Sequence, residues 1–172
     1  RPCLLLSFLL PLLSTDPTGS CCPQLQQLGV PEGSIKHGLT TMESDKWIIC
    51  VEPTQVTMID LQNGAAITRR PMTAEACIMH PGQHILAVRS GVQLQMFNID
   101  ARAKIKAHTM PEPVVFWKWT SPSNLALVTG TSVWHWPLEG DGAPVKIFDR
   151  NQSLGPTTQI INYRVSPDEK WC

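Results

Sequence analysis

From residue 40 onward, apolar and polar positions recur at a fixed interval. A turn followed by a short apolar run occurs four times, at Ser44–Val51 (SDKWIICV), Gly82–Val88 (GQHILAV), Pro122–Val128 (PSNLALV) and Pro167–Cys172 (PDEKWC). With Trp47, Ile85, Leu125 and Trp171 taken as equivalent, the steps are 38, 40 and 46 residues. A second run follows in each complete unit (QVTMIDL, VQLQMFNI, SVWHWPL), and Ile59, Phe97 and Trp136 line up at steps of 38 and 39. A third strand is expected around Ile67, Ile105 and Ile147, and another between units, as at Val114–Thr120 and Thr158–Val165. Four short strands per ~40 residues is the signature of propeller blades. The pattern therefore predicts an all-β chain with three four-stranded blades and the start of a fourth. Propellers close with typically about four to eight blades, so it reads as an incomplete propeller, cut after the first strand of its fourth blade.

Two tryptophan pairs, Trp117/Trp119 and Trp134/Trp136, sit in different strands at recurring positions of the repeat. A spacing of two puts both members of a pair on one face of a strand. Packing between blades needs large apolar side chains there, so the tryptophans are expected in the core rather than as a stacking surface for a ligand.

Composition narrows the function classes. The 14 basic and 14 acidic side chains cancel, which argues against nucleic acid, whose binding rests on Lys and Arg neutralising phosphates. Among six cysteines no Cys-x-x-Cys occurs, so a thiolate zinc site is not expected. Cys50 and Cys77 lie in apolar surroundings and read as buried thiols. An apolar run from Leu4 to Leu13 resembles a leader h-region and is too short to cross a bilayer. Asn151-Gln152-Ser153 is a glycosylation sequon, which matters only in a secreted chain.

Chemistry-bearing motifs are missing. The sequence has no nucleophile elbow, P-loop, His-Glu-x-x-His or dinucleotide fingerprint, so neither an enzyme nor a cofactor is expected. His80 and His84 are separated by Pro81-Gly82 and read as exposed turn residues rather than a metal pair; Glu43 and Asp45 read as solvated turn acids. More informative is NIDARAKIKAHTM, where Arg102, Lys104, Lys106 and His108 alternate with Ala103, Ile105 and Ala107. In a regular strand this gives one basic and one apolar face. Such cations protect an edge strand from aggregation, and they can equally form the wall of a groove for an acidic peptide. Arg69 and Arg70 occupy the corresponding region one repeat earlier.

The runs LTTMESDKWIICV, MFNIDARAKIKAHTMPEPVVFWKW, VWHWPLEGDGAPVKIFDR and QIINYR closely resemble the clathrin heavy chain in its N-terminal propeller. The resemblance covers residues 24–172 and leaves residues 1–23 outside it, as a leader-like segment expected to be a gene-model or splicing artefact. It implies a seven-bladed propeller, non-enzymatic and without metal or cofactor, on the cytoplasmic face of coated vesicles and coated pits. In the family a helical leg follows, which assembles with other heavy chains and with light chains, and membranes are reached only indirectly, through adaptors. The propeller receives short, extended, acidic-hydrophobic peptides of adaptor and accessory proteins in the groove between its first two blades. Carried over by position, that groove consists of Arg70, Leu86, Gln95, Phe97, Arg102 and Lys104. Thr68 and Gln93 depart from the family pattern within it. His37 stands where the family has a Phe in a second peptide site, so that site is not assigned, although Gln159 and Ile161 match its other members.

Two other readings remain open from the sequence: a secreted or lumenal propeller-like binding protein, and a truncated paralogue without coat function.

Overall fold

The computed structural model describes residues 22–151 and 158–166. A one-and-a-half-turn helix, α1 (Cys22–Gln27), and a 3-10 turn (Glu32–Ser34) precede three antiparallel four-stranded sheets. The first sheet runs β1 (Thr40–Thr41), β2 (Trp47–Val51), β3 (Gln55–Asp60), β4 (Ala66–Pro71). The second runs β5 (Ala76–Met79), β6 (Ile85–Ser90), β7 (Gln93–Asn98), β8 (Ala103–Thr109). The third runs β9 (Val114–Ser121), β10 (Asn124–Thr129), β11 (Ser132–Pro137), β12 (Val145–Asp149). Strand order within each sheet equals chain order, which is the meander of a propeller blade. The strand expected between units is the first strand of the next sheet.

The middle strands carry the density of Val, Ile, Leu and Met that buries both faces of a sheet. Every residue of β5 is buried, as are Ile85–Val88 in β6, whereas all five residues of β12 are exposed. The last strand of each sheet is its most exposed. Two-residue loops are placed by local chemistry; between β6 and β7 the loop is Gly91-Val92, with Gly91 at φ 59°, a value glycine adopts freely.

Three apolar clusters lie between or beside the sheets. One joins the first and second sheets through Trp47, Ile49, Val51, Val56 and Met58 against Cys77, Met79, Leu86 and Val88. A second joins the second and third through Ile78, Ala87, Leu94 and Met96 against Trp119, Leu125, Leu127 and Trp136. The remaining face of the first sheet is covered by Leu25, Leu28, Val30 and Ile35, which pack on Cys50 and Ile59.

The four tryptophans share one sheet and one face. Trp119 and Trp136 both pair with Leu125, and Trp117 and Trp134 both pair with Leu127. Trp136 is fully buried and its indole N–H donates to Gly142 O at 3.1 Å, as the core reading expects.

His80 is not an exposed turn residue; it is 1% exposed. Its Nδ1 accepts the N–H groups of Gly82 (3.0 Å) and Gln83 (2.8 Å), which leaves Nε2 to donate to Pro122 O at 2.8 Å. The ring stands edge-on to Trp119 at 4.7 Å and so ties the β5–β6 turn to the third sheet. Glu43 is likewise not simply solvated. Burial pushes its carboxyl up, and Lys118 opposes that shift.

Thr158–Val165 does not form the expected strand; residues 158–166 carry no sheet pairing. A strand is held by a ladder of hydrogen bonds to a neighbour, whereas here side chains reach across to the third sheet. Lys118 Nζ donates to Asn162 Oδ1 at 3.3 Å, and the His135 ring lies 3.0 Å from Tyr163 Oη. The expected strand at Pro167–Cys172, the residues 1–21 and the sequon's Gln152 and Ser153 lie outside the described residues.

Two expectations follow. Trp136→Ala removes the largest fully buried side chain of the third sheet and should destabilise the fold by about 3–5 kcal/mol, read as a lower urea midpoint. The Cys77 thiol is pushed up to about 12 by burial, and burial also raises that of Cys50. Because the thiolate is the nucleophile, peptide-mapped iodoacetamide labelling at pH 8 should spare both in the native chain and reach them in urea. Labelling in native buffer would contradict the packing.

Candidate peptide-binding cleft

Directly opposed residues on neighbouring strands point to the same face, so register alone locates the candidate residues. On the second sheet Leu86, Phe97 and Lys104 form one row, and Val88, Gln95 and Ala107 the next. Leu86 and Val88 pack against the first sheet, so this face looks toward it. On the first sheet Arg70 pairs with Val56 and Thr68 with Met58, and both partners pack toward the second sheet. Arg70, Leu86, Gln95, Phe97 and Lys104 therefore meet at one cleft between two sheets.

Their roles differ. Leu86 is completely buried, so it backs Phe97 instead of presenting a surface. Phe97 and Gln95 are half-buried, and Lys104 is exposed. Arg70 crosses the cleft and donates from Nη2 to Ile99 O at 3.2 Å, which makes it a strap between sheets. Its neighbour Arg69 points the other way and donates to Leu28 O at 3.1 Å.

The regular basic face expected of Arg102, Lys104, Lys106 and His108 does not exist. Ladder pairing steps from Met96–Lys106 to Phe97–Lys104 and skips Ile105, a β-bulge. One inserted residue reverses the alternation. Lys104 stays on the face of the first cleft, while Lys106 and His108 turn to the third sheet. There Lys106 Nζ lies 5.6 Å from the Trp136 ring centroid and donates to Pro137 O and, at 3.1 Å, to Gly140 O. Burial lowers the Lys106 ammonium's pKa, and Asp141 counteracts this.

Arg102 belongs to neither face. It closes the β7–β8 turn at φ 51°, in the left-handed region that costs a non-glycine residue roughly 1–2 kcal/mol. Ala65, just before β4, has φ 58°, so this is a property of the hairpin turn and not of Arg102. The turn is fastened at its base, where His84 Nδ1 meets Asp100 Oδ1 at 2.8 Å and Lys46 Nζ lies 3.1 Å from His84 Nε2. Sequence reading missed this trio, whose members are far apart in the chain; pairing the ends of the β6–β7 hairpin would have brought His84 and Asp100 together. Thr109, paired with Gln93 on the cleft face, was also missed. Among the described residues, neither the Lys104 nor the Arg102 side chain has a hydrogen-bond or ion-pair partner, and no group of three metal-ligating side chains is present.

No family model matches the chain. It is 51% identical over 152 residues to the probable clathrin heavy chain 1 of Caenorhabditis elegans and 48% identical over 153 residues to clathrin heavy chain 2 of Homo sapiens. Each match covers 86% of this chain and 9% of the relative, so the chain is homologous to, and spans about a tenth of, the curated relatives it matches. Among solved structures it is similar to Kluyveromyces lactis Hsv2p, with a TM-score of 0.51 and 12% identity, covering 60% of this chain and 35% of that one. At that identity the likeness shows the fold alone, which is propeller-like.

The two kinds of cation separate experimentally. Arg70→Ala loses a half-buried strap and should lower stability by about 1 kcal/mol, whereas Lys104→Ala should leave the urea midpoint within about 0.5 kcal/mol of the parent.

Proposed function

We propose that this chain, a homologue of the clathrin heavy chain over most of its own length, is a non-enzymatic component of a clathrin coat. Its cleft between the first and second sheets receives extended acidic-hydrophobic peptides of adaptor and accessory proteins. The working place is the cytoplasmic face of coated vesicles and coated pits. Assembly with other heavy chains and with light chains belongs to the same reading, since the relatives extend far beyond this segment.

One observation carries the reading: a half-buried aromatic ring and a cation whose side chain has no partner among the described residues stand side by side, Phe97 opposite Lys104. The ring supplies an apolar seat for one side chain of an extended ligand. Gln95, in the next row, can donate to and accept from its backbone. Lys104 and the turn-borne Arg102 attract its carboxylates, which acts mainly on association rate and specificity. Arg70, already bonded to Ile99 O, shapes the cleft while keeping its charge there. A groove of this kind reads alternate side chains of a strand-like peptide and needs no chemical step.

The test uses a fluorescein-labelled Leu-Glu-Leu-Glu-Leu peptide and anisotropy. Lys104→Glu should weaken binding about tenfold or more at low salt, since it replaces an attraction by a repulsion. It should also flatten the salt dependence, because less charge remains to be screened. Phe97→Ala should cost a similar factor at all salt concentrations, as truncation of a buried anchor does. Unchanged affinity in both variants would overturn the reading.

A further inference from the structure

The chain contains a second cleft of the same construction, between the second and third sheets. Met58–Thr68 in the first sheet and Met96–Lys106 in the second are equivalent ladder pairs, each 38 residues from its counterpart. Across each cleft, Phe97 and Trp136 are likewise equivalent, 39 residues apart. The aromatic residue of each cleft therefore faces an outer strand whose corresponding position is Thr68 in one case and Lys106 in the other.

The consequences are opposite. Lys106 is long enough to lie over the Trp136 ring and to donate to Pro137 O and Gly140 O beyond it. Trp136 is left 1% exposed. Thr68 ends two bonds from its backbone, is itself exposed, and leaves Phe97 half-buried. The second cleft also holds an unanswered donor, since Trp134 Nε1 is buried without a partner among the described residues. Its outer rim carries His108 and Lys146, the latter ion-paired with Asp149 at 2.5 Å.

We infer that the side chain at this one ladder position selects which cleft binds: Thr68 keeps the first open for an acidic-hydrophobic extended peptide, and Lys106 plugs the second. Thr68 is thereby a specificity-determining residue, and its small size, rather than its hydroxyl, is what matters. A lysine at position 68 would reproduce the plug, with its ammonium drawn to carbonyls at the far rim. It would also add a cation, so on charge alone it should strengthen an acidic peptide. The inference requires the contrary, which makes the variant decisive.

The inference rests on the proposed peptide-binding reading, and the experiment separates the two. The full chain and its variants are titrated with the labelled Leu-Glu-Leu-Glu-Leu peptide, and circular dichroism checks that each variant is folded. Thr68→Lys should lose about tenfold in affinity, the scale of blocking one anchor pocket, whereas Thr68→Val, of equal size, should bind like the parent. Lys106→Thr should raise the stoichiometry from one peptide to two and increase acrylamide quenching of tryptophan. If the parent binds no peptide, both the reading and the inference fall. If the parent binds and Lys104→Glu abolishes it, but Thr68→Lys binds as well as or better than the parent, the reading stands and the inference is overturned. Should Lys106→Thr prove unstable, the Thr68→Lys and Thr68→Val pair still decides.

Discussion

A four-stranded sheet whose middle strands are apolar on both sides cannot be stable by itself; each face needs a neighbour. This demand for two-sided burial organises the molecule. It is why Leu86 and Val88 pack toward one sheet while Ala87 packs toward the other. It is also why Leu25, Leu28, Val30 and Ile35 lie on Cys50 and Ile59, the face of the first sheet that no other sheet covers among the described residues. Burying one such aliphatic side chain contributes roughly 1.5–3 kcal/mol, so the clusters between sheets dominate the stabilisation. The hydrogen bonds between sheets set alignment more than stability. His80 to Pro122 O, Arg70 to Ile99 O and Lys106 to Gly140 O each fasten a side chain to a backbone carbonyl of the next sheet. A carbonyl is fixed by its own strand or turn and thus makes a rigid anchor.

The proposed binding cleft lies where this packing stops. Toward the outer strands burial falls away, and the faces of adjacent sheets diverge into a cleft instead of a core. Phe97 sits at that boundary, half in the cluster and half out of it. A cleft formed this way inherits its apolar floor from the core and its charged rim from the outer strand, a combination suited to an extended amphipathic ligand.

Much of the fold was legible because strand alternation and a ~40-residue repeat are local signals that survive in a single sequence. Strands β2 through β12 lie where the pattern places them, and of the two tryptophan pairs Trp119 and Trp136 are core while Trp117 and Trp134 pack against it. The site was legible only in part. Position by position, the resemblance named Phe97, Gln95 and Lys104, which register brings to one face, whereas strand alternation suggested one continuous basic face where the structure has three separate orientations. A single bulge at Ile105 separates Lys104 from Lys106, and a turn with positive φ removes Arg102 from the strand. Neither event changes composition or hydrophobic pattern, so neither is visible in the sequence. His80 was misread for a related reason: a histidine beside Pro-Gly has the signature of an exposed turn, and only a neighbouring sheet could bury it.

The amino-acid sequence by itself determined the number, order and apolar character of the strands, since side-chain period and turn chemistry act between near neighbours. Only the tertiary structure decided which cations face which cleft, and whether its aromatic ring is covered, as Trp136 is, or half-exposed, as Phe97 is. Those outcomes depend on register across strands and on side-chain length across sheets, distances that the linear chain does not encode locally.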